Sequence, residues 1–196
     1  MSDRNHSRAE LMAAFVLGAL LSPQSLEAKS LIPLEPCRIA DLDGLVSTEA
    51  RCGTLPVPED PDDPAGAKIR LAIAVVPAIS TKAKPDPLFL VAGGPGQGSI
   101  HGFAPLLSAF AGIRRERDIV MVDQRGTGDS NRLDCEMPDD ALESGDLEPA
   151  QLRALAQECL PTLRGRPQFY TTSIAVRDLD AVRAALGYPR VNVYGG

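Results

Sequence analysis

Several features are missing from this sequence, and each absence argues against a class of function. The 196 residues contain no basic block and carry a formal net charge of −6, which argues against a nucleic-acid partner. No apolar run beyond the N-terminal region is long enough to span a membrane. No C-x-x-C pair occurs, which argues against zinc and thioredoxin-like sites. The composition, 44% hydrophobic and 23% charged, is that of a globular domain.

The N-terminus has the pattern of an export signal. Arg4 and Arg8 supply positive charge, residues 11–21 are apolar, and Ala28 precedes a plausible cleavage point. We therefore expect residues 1–28 to be a signal peptide and the mature protein to be secreted, periplasmic or held at the cell surface. An N-terminal amphipathic helix or a retained membrane anchor is the alternative.

The four cysteines fit an exported protein. They are Cys37, Cys52, Cys135 and Cys159, and an even count in an oxidising compartment predicts disulfides. Three pairings are possible. We favour Cys37–Cys52 and Cys135–Cys159, because each pair brackets one loop-rich segment. Four buried free thiols are the alternative for a protein that stays in the cytosol.

Hydrophobic patterns predict an α/β fold. Residues 29–51 lack periodicity and are expected to form an N-terminal arm, and residues 52–196 are expected to form a partial domain with an excursion at about 133–168. We predict strands at 51–57, 68–76, 88–91, 119–122 and 191–194, and helices at 101–115, 148–163 and 171–186. The alternation in 68–76 predicts a half-buried strand. The prolines and acids of 56–64 predict a solvated loop without regular structure. Strands that alternate with helices predict a mostly parallel sheet, with function at the carboxyl ends of its strands.

The functional prediction depends mainly on residues 88–98, where a short apolar strand runs into a glycine loop. Gly93, Gly94 and Gly96 lie in this loop, and glycine N–H groups at a strand end can face a developing negative charge. The loop lacks the Gly-Lys-Ser/Thr ending of a P-loop and the G-x-G-x-x-G spacing of a dinucleotide site. We therefore expect no cofactor. An oxyanion loop fits better, with a plain tight turn as the alternative.

Two further strand ends carry candidate residues. Asp123 and Arg125 follow the strand at 119–122, and we expect them to form an ion pair, either purely structural or holding this second loop against the site. Gly195 and Gly196 follow the last strand and fit the first positions of a G-x-S-x-G nucleophile elbow, whose serine would be the next residue. We expect the chain as given to lack the nucleophile, to be inactive and to aggregate when isolated.

Other nucleophile and base candidates fit poorly. Ser99, Ser130 and Ser173 lack a G-x-S-x-G context, so we predict loop or cap roles for them. His101 precedes the elbow, whereas the histidine that serves such a nucleophile follows it in the chain, so a structural role is predicted. His6 lies in the signal region. The acid-rich segment 56–64 lacks the spacing of an EF-hand, and we expect no metal site.

Four motifs together resemble a known family. They are A-G-G-P-G-Q-G at 92–98, V-D-Q-R-G-T-G-D-S at 122–130, D-L-D-A-V-R-A-A-L-G at 178–187 and V-N-V-Y-G-G at 191–196. Over roughly residues 52–196 the chain resembles the α/β-hydrolase group of proline iminopeptidases and secreted tripeptidyl aminopeptidases. Ala92 stands where intracellular proline iminopeptidases usually have histidine, so the secreted branch is more similar.

The resemblance implies a fold, a site and an activity. It implies an α/β-hydrolase fold in which the Gly94 N–H is one oxyanion donor and Gly93 and Gly96 shape the loop. It implies an aminopeptidase that hydrolyses peptides near their N-termini through an acyl-enzyme, or a related enzyme acting on small esters or amides. An aspartate nucleophile with epoxide hydrolase or dehalogenase chemistry, and a non-catalytic exported binding protein, are the alternatives.

Overall fold

The computed structural model describes residues 32–41, 43–94, 96–135 and 148–196. The expected signal peptide and part of the expected excursion lie outside these residues. The strands are β1 (Glu35–Ala40), β2 (Ser47–Pro58), β3 (Lys68–Val76), β4 (Leu88–Val91), β5 (Ile119–Val122) and β6 (Asn192–Gly195). The described α-helices are α1 (Ser99–Phe103), α2 (Ala111–Arg114), α3 (Pro149–Cys159) and α4 (Thr172–Ala185), with 3-10 turns at Ala104–Phe110, Leu160–Thr162 and Pro167–Phe169.

The strands form a mixed sheet in the order β1-β2-β3-β5-β4-β6. The pairs β1–β2, β2–β3 and β3–β5 are antiparallel, and β4 pairs in parallel with β5 and β6. The expected mostly parallel sheet is therefore present only in the segment β5-β4-β6. Short turns reverse the chain between β1, β2 and β3, whereas helices in the later connections return it in the same direction.

Regular structure begins earlier in the chain than the sequence indicates. Residues 35–40 form β1, and β2 begins at Ser47 and continues to Pro58, one residue beyond the strand expected at 51–57. β1 pairs with β2 only as far as Cys52, so the later part of β2 has no strand neighbour on that side. Proline is tolerated there because its missing N–H can face the open side.

The core lies on both faces of the sheet. Ile69, Leu71 and Ile73 of β3 pack with the α4 side, whereas Ala72 and Ala74 pack with residues of α1 and the following 3-10 turn. The expected half-buried strand is therefore wrong beyond Leu71, where every β3 residue is buried. Helical segments cover both faces, so alternation is visible only at the start of the strand.

The helices lie where the sequence predicts them, but their lengths differ from the predicted lengths. The single helix expected at 101–115 is interrupted, because Pro105 removes a backbone donor and a 3-10 turn follows α1 from Ala104. Helices α3 and α4 lie within the predicted ranges. Gly187 has φ +81° just after α4, as a left-handed residue that closes a helix requires.

Both expected disulfides are present. Cys37–Cys52 joins β1 to β2 with a Cα–Cα distance of 5.8 Å, and Cys135–Cys159 joins the segment after β5 to the end of α3 at 5.5 Å. The first pair packs against the core on the α1 side of the sheet. None of the described helices has the length and hydropathy needed to cross a membrane.

Leu71 and Leu45 offer a matched test of the core. Leu71 is 0% exposed and Leu45 is 83% exposed. We expect Leu71→Ala to lower the free energy of unfolding by about 2–5 kcal/mol, since it removes packed methyl groups and leaves a cavity. Leu45→Ala should change it by less than about 0.5 kcal/mol. Urea unfolding of both variants measures the difference, and equal shifts would contradict this core.

Candidate functional site

The glycine loop after β4 has a backbone that only glycine adopts easily. Gly94 has φ +129° and Gly96 has φ +87°. A Cβ on Gly94 would also lie 3.2 Å from the Gln97 backbone nitrogen, tighter than ordinary contact. The observed loop shape therefore depends on glycine at these positions.

Three hydrogen bonds fix the start of this loop. The Ala92 N–H donates to Ser99 Oγ at 3.0 Å, and Gln124 Nε2 donates to the Ala92 carbonyl at 2.9 Å. The Gly93 N–H donates to the Gly196 carbonyl at 2.6 Å. Ser99 is fully buried at the start of α1, and the glycine loop lies directly against the end of β6.

The Gly94 N–H is available to a ligand. Unlike the N–H groups of Ala92 and Gly93, it donates to no other residue that the structure describes, as is also true of the Gly96 and Gln97 N–H groups, and Gly94 is exposed. It follows Gly93, which contacts Gly196, so it lies near the carboxyl ends of the parallel strands β4 and β6. A fixed, unpaired backbone donor can stabilise an oxyanion at little reorganisation cost.

Asp123 connects the second loop to α1. Its fully buried carboxylate accepts hydrogen bonds from the Ile100 N–H at 2.9 Å and the Asp129 N–H at 3.0 Å. Burial raises the pKa of this carboxyl, although the two N–H groups favour the carboxylate. Gly128 follows in the same loop with φ +47°, and a Cβ there would overlap the Asp123 carboxylate.

The expected ion pair between Asp123 and Arg125 is wrong. Arg125 instead binds Asp178 of α4 through both carboxylate oxygens, with Nε–Oδ2 at 2.6 Å and Nη2–Oδ1 at 2.8 Å. Both side chains are buried. The physical reason is that two backbone N–H groups already occupy the Asp123 oxygens, whereas Asp178 matches the fork of a guanidinium.

The remaining Arg125 donors bind backbone carbonyls. Nη1 donates to Glu59 at 2.8 Å and to Phe169 at 2.9 Å, and Nη2 donates to Pro58 at 3.3 Å. All five N–H donors of the guanidinium are therefore used. The side chain joins the second loop to α4, to the end of β2 and to the 3-10 turn at Pro167–Phe169.

Sequence reasoning missed a second buried network beside Arg125. Glu59 lies in the segment expected to be a solvated loop, yet it is buried and accepts hydrogen bonds from the Arg166 N–H, Arg166 Nε and Tyr170 hydroxyl. Burial alone would raise the pKa of Glu59, but these hydrogen bonds outweigh it and the pKa lies below its usual value. Partners more than 100 residues apart leave no local pattern that could have predicted this network.

Ser130 and His101, for which structural roles are predicted, both make hydrogen bonds that hold the fold together. Ser130 is fully buried, and its Oγ accepts a hydrogen bond from the Ala72 N–H at 2.8 Å. His101 Nδ1 lies 2.9 Å from the Ala40 carbonyl, which can only accept, so Nδ1 carries the proton. Neither side chain is placed as a nucleophile or base by these contacts. Ser173 lies in the first turn of α4.

Two cavities lie beside the second loop, and the smaller one adjoins the glycine loop. One of about 340 Å³ lies between Gly96–Gly98, α1 and the Gly128–Arg132 segment. A larger one of about 1130 Å³ shares Asp129 and Arg132 with the first and extends beside α3. In residues 32–41, 43–94, 96–135 and 148–196, no group of three or more His, Cys, Asp or Glu side chains is arranged to hold a metal.

Comparison with known proteins points to hydrolases. No protein-family model matches the chain. It is 29% identical to a tripeptidyl aminopeptidase of Streptomyces coelicolor over 161 residues, 74% of this chain and 30% of the relative. It is 36% identical to carboxylesterase B of Mycobacterium tuberculosis over 155 residues, 69% of this chain and 29% of the relative. It is 29% identical to serine protease Hip1 of the same organism over 175 residues, 82% of this chain and 33% of the relative.

These similarities support the general class of serine hydrolase and no finer activity. The chain spans about 30% of the length of the curated relatives it matches. Relatives of this kind imply an α/β-hydrolase fold, and the mixed six-stranded sheet with helices on both faces is compatible with it. The two disulfides are compatible with an extracellular location.

Removing a buried arginine and removing an exposed one should lower the free energy of unfolding by different amounts. We expect Arg125→Met to lower the free energy of unfolding by about 3–5 kcal/mol, because it leaves Asp178 buried without its partner. Arg38 pairs with Glu49 at 3.6 Å on the exposed surface, so Arg38→Met should cost less than about 1 kcal/mol. Chemical unfolding measures both. A small loss for Arg125→Met would show that the five contacts contribute little.

Proposed function

We propose that this chain is the N-terminal part of an exported serine hydrolase with an α/β-hydrolase fold. In this proposal the Gly94 N–H is one donor of the oxyanion hole, and Gly93 and Gly96 give the loop its shape. The observation that carries the proposal is an unpaired backbone donor on a pinned glycine loop, next to the carboxyl end of β6. The hydrolase relatives support the same conclusion.

The proposed reaction is acyl transfer to water through a covalent intermediate. A serine attacks the substrate carbonyl, and the carbonyl oxygen becomes an oxyanion that accepts a hydrogen bond from the Gly94 N–H. Collapse releases the amine or alcohol, and water then hydrolyses the acyl-enzyme. We place the serine directly after Gly196 in the whole protein, with the acid, the histidine and the second oxyanion donor beyond it.

The favoured substrate is a peptide attacked near its N-terminus. This follows from the motif resemblance and from the similarity to a tripeptidyl aminopeptidase. A carboxylesterase is the second candidate, because the identity to carboxylesterase B, 36%, exceeds the 29% to the aminopeptidase. Turnover of a tripeptide anilide against a simple aryl ester by the whole gene product separates the two.

A fluorophosphonate probe tests the nucleophile directly. We expect the whole gene product to become labelled, because an activated serine attacks the phosphorus centre as it attacks a carbonyl. Mass spectrometry of the labelled peptide should place the adduct on the residue after Gly196. A protein that is folded but unlabelled would favour an aspartate nucleophile or a non-catalytic binding protein.

Substitution of Gly94 tests the oxyanion donor. In the whole enzyme we expect Gly94→Ala to reduce kcat roughly 100-fold, because the left-handed backbone and the contact with Gln97 would displace the N–H. Gly44→Ala is the matched control, since Gly44 also has a positive φ, +69°, but its added Cβ would meet nothing within 4 Å. Equal losses in the two variants would attribute the effect to general strain.

A further inference from the structure

The amino ends of the parallel strands form a surface that is richer in positive charge than the rest of the chain. We call this surface the amino edge. It consists of residues 77–87, 111–118 and 187–190, which lead into β4, β5 and β6. These segments hold six basic and three acidic side chains, in a chain with a formal net charge of −6. The basic residues come from three separate parts of the sequence, so no single basic run reveals them.

Backbone hydrogen bonds hold two of these segments against each other. The Ile79 N–H donates to the Arg114 carbonyl at 2.9 Å, and the Ser80 N–H donates to the Arg115 carbonyl at 3.0 Å. The link between β3 and β4 is therefore fixed along the end of α2. Because the two backbones are paired, the side chains of both segments belong to one continuous surface.

The three acidic side chains of the amino edge already have partners. Glu116 pairs with Lys84, and Asp86 binds Arg117 through both carboxylate oxygens at 3.1 and 3.3 Å. The carboxylate of Asp118 accepts two hydrogen bonds from other groups of the amino edge. These acids are therefore engaged within the surface and do not neutralise its remaining cations.

Four cations of the amino edge form no ion pair with any described residue. Lys82, Arg115 and Arg190 are exposed. Arg114 is half-buried, and its Nε donates to a backbone carbonyl at 3.2 Å. A cluster of cations without acidic partners attracts an anionic surface, although the chain as a whole is acidic.

Two exposed apolar side chains accompany these charges. Ile79 is 68% exposed and Ile113 is 38% exposed, and both lie on the two hydrogen-bonded segments. Apolar and basic side chains on one face are typical of proteins that bind at a lipid interface, where the cations contact the headgroups and the apolar groups enter the boundary with the acyl chains. A nucleic acid would contact the cations but would leave the isoleucines in water.

From this arrangement we propose that the amino edge docks on the surface of a bilayer that contains anionic phospholipids. The glycine loop follows β4 at its other end, so a protein docked in this way turns the candidate active site toward the aqueous phase. The location of the membrane rests on the proposed export. The docking itself needs no nucleophile or oxyanion donor, so it stands or fails separately from the proposed hydrolysis.

Cosedimentation of the mature whole gene product with lipid vesicles tests this proposal. One set of vesicles contains equal parts of phosphatidylglycerol and phosphatidylcholine, and the other contains phosphatidylcholine alone. We expect binding to the anionic vesicles to be at least about tenfold stronger than to the neutral ones, and to be lost at about 0.5 M salt, which screens exposed charges. Equal binding to the two sets, or no binding to either, would overturn the proposal.

Two matched double variants locate the binding surface. Lys82→Gln combined with Arg115→Gln should weaken binding to the anionic vesicles about 25-fold, since each basic side chain near such a surface contributes about fivefold. Lys68→Gln combined with Arg70→Gln is the control, because these residues are also exposed but lie at the start of β3, toward the opposite edge of the sheet. The control should change binding by less than about twofold. Equal losses in the two double variants would show a diffuse effect of net charge and contradict docking through the amino edge.

Discussion

The guanidinium of Arg125 is the constraint on which the candidate site depends. A buried cation is tolerated only when it is paired and its donors are satisfied, and all five of these donors have partners. Those partners come from α4, from the end of β2 and from the 3-10 turn at Pro167–Phe169. The second loop can therefore lie in only one place relative to the sheet.

That placement fixes the glycine loop in turn. Gln124 donates to the Ala92 carbonyl, and Asp123 binds the first turn of α1, so the two residues before Arg125 hold the two ends of the first loop. The polar motif at 123–130 thus holds the glycine loop in position. Gly128 within the motif leaves room for the Asp123 carboxylate. In the proposed function, the oxyanion contact comes from a backbone atom of the loop that this motif supports.

The sequence predicts local structure well and remote partners poorly. Strands β4 and β5 lie at their predicted residues because short apolar runs end at clear loop signals. β1 was missed because Pro36 and Cys37 interrupt any alternation, and its pairing with β2 stabilises it. The Arg125–Asp178 pair spans 53 residues, so no spacing rule could separate it from the expected Asp123 pair. The oxyanion role of the Gly94 N–H stays a prediction that follows from the glycine loop itself.

The most direct test of this account is the structure of the whole gene product after reaction with a fluorophosphonate. The distance between the Gly94 nitrogen and the phosphonyl oxygen is the decisive quantity, since that oxygen occupies the position of the oxyanion. The account predicts a separation of about 2.7–3.1 Å, the range of an oxyanion hydrogen bond. A phosphonyl oxygen held by other donors, with the Gly94 N–H directed elsewhere, would contradict it.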